Sequence, residues 1–181
     1  MAERPQADAA FTALLDRYEQ PLIGYAARIT GDAHRARDVV QETLLKFVSD
    51  GAPRDPDRAA AWLFKVCRNA ALSVRRKEKR VQPLTLDIAD RQLAGDASPL
   101  ADVERGDETA RVLALVADLP ERQQEVVRLR FHAGLSYRQI AEVLDITTNN
   151  VGVMLHHALT RLRRQLCEPE EIPNASPGSL S

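Results

Sequence analysis

The chain has 181 residues, a formal charge of −1 and two cysteines, Cys67 and Cys167; that length allows one domain or two small ones and those cysteines cannot staple a disulfide or zinc scaffold. With 44% hydrophobic but only 4% aromatic residues, the cores must be built from Leu, Val, Ile and Ala, which favours helix over sheet. No stretch reaches the ~18 apolar residues of a membrane span, and the polar start MAERPQADAAF has no signal core, so the expectation is a cytoplasmic protein without direct membrane insertion.

In chain order, Phe11, Leu14, Leu15 and Tyr18 recur at helical spacing, and Pro21 is expected to restart the helix where its missing N–H costs nothing. Leu22, Tyr25, Ala26 and Ile29 continue the apolar face as far as Gly31, a C-terminal stop. Asp32 suits the N-cap of a second helix with Ala36, Val39, Val40, Leu44, Phe47 and Val48 inward. After the breaker-rich loop GAPRDP, a third helix carries Trp62, Val66, Ala70 and Val74 at i, i+4 steps and ends in RRKEKR.

From Val81 to Gly106 no period is sustained, and Pro83, Gly95, Ser98 and Pro99 punctuate an acidic stretch that reads as a flexible linker. Val112, Leu115, Val116 and Leu119 then form an amphipathic helix. Pro120 is expected as the first residue of the next helix, with Val126, Val127, Leu129 and Phe131 in its apolar set and Gly134 at its end. Ser136 with Gln139 three residues on is a capping-box signature for a short helix bearing Ile140, Ala141 and Leu144. The turn Asp-Ile-Thr follows, where Asp145 is expected in the left-handed region. Thr147 caps a last helix with Val151, Leu155, Ala158, Leu162 and Leu166 inward. A short capped helix, a tight turn and a longer helix ending in arginines is helix-turn-helix grammar. The last fourteen residues, with three prolines and no apolar stripe, read as a disordered tail.

The small net charge hides an asymmetry. Residues 62–80 hold seven basic side chains against Glu78, a net of +6, whereas residues 81–110 hold seven acidic ones against Arg91 and Arg105, a net of −5. A second basic cluster is Arg161, Arg163 and Arg164. Two basic helix ends around an acidic connector point to nucleic acid, the plainer reading being solvated helix ends.

Asp38, Gln41 and Glu42 share one helix face while Val39 and Val40 turn the other way; two carboxylates and an amide suit Arg and Lys on a protein partner. Asn69 offers both a donor and an acceptor, as reading the edge of an unpaired base requires. Trp62 could stack on bases, but its alignment with Val66 and Ala70 favours a core role. On the last helix the groove-facing side carries Asn149, Asn150, Gly152, Val153, His156, His157 and Thr160, with Arg161, Arg163 and Arg164 available for phosphates. His156 and His157 point about 100° apart and make a poor metal pair. Cys67 reads as a partly buried core thiol. No Gly-rich phosphate loop, metal constellation or nucleophile motif occurs, so neither enzyme activity nor a cofactor is expected.

Three motifs in order resemble the extracytoplasmic-function (ECF) subfamily of bacterial RNA polymerase sigma factors, over roughly Phe11 to Leu166. GDAHRARDVVQETLLKFV is similar to the helix that docks on the polymerase clamp. AWLFKVCRNAALSVRRKEKR is similar to the helix that opens and reads the minus-ten element. LPERQQEVVRLRFHAGLSYRQIAEVLDITTNNVGVMLHHALTRLRR is similar to the domain that binds the polymerase flap and the minus-35 element.

The resemblance implies an all-α protein of two small helical domains: residues 8–80 (region 2), an acidic linker 81–106, residues 107–167 (region 4) and a tail 168–181. It implies polymerase contacts at Asp38, Gln41 and Glu42, minus-ten contacts at Arg68, Asn69, Arg75, Arg76 and Lys77, and minus-35 contacts at Asn149, Asn150, Val153, His156, His157 and Arg161. The implied partners are core RNA polymerase, promoter DNA and an anti-sigma factor that masks both domains, the protein being a monomer when free. The linker would thread towards the polymerase active-site and RNA-exit path. Arg35 and Arg37 depart from the acidic residues common before the clamp triplet, and Gly152, Val153 and Met154 from the basic or hydroxyl residues common in the recognition helix. The competing reading is a stand-alone helix-turn-helix regulator, which would be a dimer on duplex operator DNA. With roughly six basic residues on single-stranded phosphate, log K should fall against log salt with a slope of about −4, measurable by fluorescence titration of a promoter single strand.

Overall fold

A computed structural model describes residues 4–49, 53, 55–81 and 103–167; the expected tail and residues 82–102 of the expected linker lie outside them. The described residues form seven helices and no strand. Helices α1 (Arg4–Thr30), α2 (Ala33–Ser49) and α3 (Pro56–Val81) pack on one another as the first domain. Helices α4 (Val103–Ala117), α5 (Glu121–Phe131), α6 (Tyr137–Leu144) and α7 (Thr148–Cys167) form the second, with α5 and α6 both on α7. Helix α4 begins at Val103, inside the stretch whose composition reads as linker.

Local chemistry sets most boundaries. Gly31 takes φ 73° after α1, and Asp32 Oδ1 accepts from Arg35 N at 2.9 Å to start α2. Asp55 Oδ1 does the same for Asp57 N and Arg58 N at the head of α3. Ser136 and Gln139 form the complete capping box of α6. Asp145 ends α6 at φ 58°, a left-handed conformation that aspartate tolerates. Thr147 Oγ1 accepts from Asn150 N at 3.2 Å at the head of α7.

Several expectations are corrected. Pro21 does not restart a helix; α1 runs through it, because Tyr18, Leu22 and Tyr25 on either side are buried against the same core and hold the turns in line. Val48 is 63% exposed rather than inward, since the buried stripe of α2 is Ala36, Val39, Val40, Thr43 and Phe47, and one residue beyond Phe47 turns about 100° away. The deepest face of α3 is Ala60, Leu63, Phe64, Cys67 and Ala71, which leaves Trp62, Val66, Ala70 and Val74 half-buried on its flank. Trp62 there lies against Phe47 with ring centroids 5.4 Å apart. Pro120 is the N-cap of α5, with Glu121 its first residue. Phe131 and Leu166 are exposed, being at helix ends that no element among the described residues covers. Cys67 is fully buried, and burial pushes its thiol up to about 12.

The core joins the domains. Helix α6 packs across α3, and Gln139 Nε2 donates to the Asp57 carbonyl at 2.9 Å while its Oε1 accepts from Ser136 N at 2.7 Å. One amide thus serves both the capping box and the domain seam. Ser136→Ala should lower unfolding stability by about 1 kcal/mol, the usual worth of an N-cap, as a shift in the urea midpoint with an unchanged slope.

Candidate nucleic-acid interface

Three surfaces emerge from this packing. On α2, buried Val39 and Val40 fix the rotation of the helix, so Asp38, Gln41 and Glu42 all face outward. Glu42 pairs with Lys46 Nζ at 2.7 Å, an exposed i, i+4 pair of small worth. Leu45 and Val48, both 63% exposed, continue the same face at helical spacing. From sequence Leu45 is assigned to neither face, since a single exposed leucine carries no spacing signal of its own.

The second surface is the basic side of α3, and its members part company. Asn69, Arg76 and Lys77 are exposed; Arg76 Nε donates to the Leu72 carbonyl of its own helix at 3.2 Å. Arg68 is drawn inward, its side chain 21% exposed, with Nε 2.8 Å from Glu125 Oε1 on α5. Tyr25 OH donates to the same oxygen at 2.6 Å. Burial first and then Glu125 push the Tyr25 phenol well above its ordinary range, so it stays a donor. Burial alone would lower the pKa of Arg68, but its bond to Glu125 and that carboxylate's charge outweigh burial and raise it. Arg75 Nη1 reaches Glu121 Oε1, one turn earlier on α5, at 3.3 Å. Nothing in the sequence pairs residues 57 positions apart, so these contacts were not legible there.

The third surface is the outer face of α6 and α7. Tyr137, Thr148, Asn149, Gly152, Val153, His156 and His157 line an open depression. The histidine rings meet edge-on, centroids 5.9 Å apart, and among the described residues no group of three or more His, Cys, Asp or Glu could hold a metal ion. Asn150 and Arg161 are exposed but outside that lining. Tyr137 and Thr148 are additions to the expected set. Tyr137 is positioned by Arg130, whose guanidinium lies 5.4 Å from its ring centre and whose Nη1 donates to the Leu135 carbonyl at 2.9 Å.

A Sigma-70 region 2 family model matches residues 14–81, and a Sigma-70, region 4 model matches residues 109–162. The ECF RNA polymerase sigma factor SigL of Mycobacterium tuberculosis is 33% identical over 162 residues, 88% of this chain and 90% of that relative. The chain is an ECF sigma factor. It directs RNA polymerase to promoters, and its all-α, two-domain architecture is that of solved sigma factors. The sigma factor RpoE from Bartonella quintana, solved in complex with the anti-sigma factor NepR, has a TM-score of 0.66 at 23% identity, covering 87% of this chain and 96% of that one. CnrH, solved in complex with the cytosolic domain of CnrY, has a TM-score of 0.55 at 24% identity, covering 90% and 93%.

In this sigma factor the region 2 match holds the α2 face and the basic side of α3, and the region 4 match holds the α6–α7 depression. Among the described residues no helix is long and apolar enough to cross a membrane. Tyr25→Phe keeps the ring packed on Phe64 but removes one donor from Glu125, and should cost about 1 kcal/mol in urea unfolding. Removing the charge of Glu121, whose side chain is 86% exposed, should leave the midpoint within error.

Proposed function

We propose that this ECF sigma factor works through two units, region 2 over residues 8–80 and region 4 over residues 107–167, joined by the acidic segment 81–106 and followed by the tail 168–181. Region 2 binds core RNA polymerase through Asp38, Gln41 and Glu42. It melts and holds the minus-ten element with Asn69 on an unpaired base and Arg68, Arg75, Arg76 and Lys77 on phosphates. Region 4 reads the minus-35 duplex with Asn149, Asn150, Val153, His156 and His157, and Arg161 grips the backbone. The observation that carries this reading is the outward display of Asp38, Gln41 and Glu42 on one face of α2, set by Val39 and Val40 buried behind them.

The protein has no chemistry of its own in this scheme; the polymerase makes the RNA. It acts in the cytoplasm as a monomer when free, and an anti-sigma factor holds it off. The relatives RpoE and CnrH, each solved with such a partner or a partner's cytosolic domain, support that last step.

The test is open-complex formation with purified protein and core polymerase on a genomic promoter library, read as unpaired thymines and run-off transcripts. Melting should require both components, and Asn69→Ala or the double variant Asp38→Ala/Glu42→Ala should abolish it. Sequence-specific binding to duplex DNA by the protein alone, without polymerase and without melting, would instead identify a stand-alone regulator.

A further inference from the structure

We propose that the edge where α1 meets α5 is a binding site for a small phosphate oxyanion, held between the guanidiniums of Arg28 and Arg128.

Helical spacing builds the site. Gly24 and Arg28 lie one turn apart on α1, and Gln124, Arg128 and His132 follow at successive turns along α5 and its C-cap. The Gln124 side chain is fixed from behind. Its Nε2 donates to the carbonyls of Ala117 and Leu119 at 2.8 and 2.7 Å, which leaves its Oε1 to face the arginines. That single oxygen accepts from Arg128 Nη2 at 2.8 Å and from Arg28 Nη2 at 3.5 Å. Two guanidiniums from different helices are thereby aimed at one point. His132 stands at one end, its Nε2 3.4 Å from where a Cβ on Gly24 would lie.

The positive charge there is uncompensated. Among the described residues neither arginine makes an ion pair, and the acceptor they share is a neutral amide. Glu125 Oε1 already accepts from Arg68 and Tyr25. Burial, and after it the charge of Arg28, lower the Arg128 pKa to about 10, the attraction of Glu125 being weaker than either. Arg128 is still a cation at neutral pH.

A guanidinium carries five N–H donors, of which each arginine spends one on Gln124. The others can meet the oxygens of a tetrahedral anion, since the planar fork matches phosphate. Arg128 is half-buried and Arg28 exposed, so the anion can enter from the Arg28 side. Two guanidiniums about one point suit a single phosphate group rather than the spaced phosphates of a strand. Two charge-assisted bonds correspond to a Kd on the order of a millimolar.

The test titrates the full-length protein with inorganic phosphate. Phosphorus NMR line broadening reads binding, and the thermal midpoint is compared with chloride at equal ionic strength. At ten times its Kd, phosphate should raise the folding equilibrium constant about tenfold. Arg28→Gln removes one of two like charges, so it should melt no lower than the wild type in chloride. It should bind phosphate about tenfold more weakly, the worth of one charge-assisted bond. Arg122→Gln, at an exposed arginine elsewhere on α5, should bind like the wild type. ADP separates the two sources of the group: equal or weaker affinity assigns the free ion, and tighter binding assigns a nucleotide's terminal phosphate.

Phosphate also raises midpoints without any site, by exclusion from protein surfaces. A midpoint gain as large in Arg28→Gln as in the wild type therefore overturns the proposal. So does the absence of saturable line broadening, or an equal loss of binding in Arg28→Gln and Arg122→Gln. Should Arg28→Gln fail to fold, Gln124→Glu replaces it. A carboxylate at that position should pair with both arginines and abolish phosphate binding, and unchanged binding overturns the site.

Discussion

A carboxylate taken out of water between two helices must find donors or lose its charge. Glu125 finds two, the phenol of Tyr25 on α1 and the guanidinium of Arg68 on α3, both on one oxygen. That arrangement ties three helices from two domains at a single point. It keeps Tyr25 against Phe64 in the first core, with ring centroids 5.6 Å apart, and it holds α5 at a rotation where Val126, Val127 and Leu129 turn into the second core. The polar seam and the apolar cores therefore constrain each other through the register of one short helix.

The same residues explain how a protein of net charge −1 can handle DNA. The basic side of α3 is balanced in part across the seam, Arg68 by Glu125 and Arg75 by Glu121, while Glu78 of α3 pairs with Arg35 of α2. Asn69, Arg76 and Lys77 remain on the outside. The residues lining the α6–α7 depression take no part in these ion pairs. The two surfaces thus differ electrostatically: the basic side of α3 is paired in part with other helices, whereas the α6–α7 depression is not.

Signals that act within a few residues were legible before any fold was known. Asp32, Ser136 with Gln139, and Thr147 cap their helices because an oxygen next to unpaired N–H groups finds them regardless of what packs nearby. Asp145 turns left-handed for a similarly local reason. Periodicity placed the core of α7, with Val151, Leu155, Ala158 and Leu162 buried as expected. It failed where burial depends on what lies opposite. Val48, Phe131 and Leu166 are apolar and correctly spaced, yet among the described residues no element covers them. Trp62 lost the centre of α3 to the small residues Ala60 and Ala71, which let α3 pack closely.

The sequence by itself determined the caps at Asp32, Ser136 and Thr147, the left-handed Asp145, the buried stripe of α7, the helix-turn-helix, and the outward triplet on α2, all of which rest on contacts within one or two helical turns. Tertiary structure alone decided that Arg68 and Arg75 face carboxylates of α5 rather than solvent, and that Gln139 serves a helix cap and a domain seam together. The physical reason is range: a cap finds its partner three residues away, whereas a charged side chain pairs with whatever the packing of distant helices brings within about 3 Å.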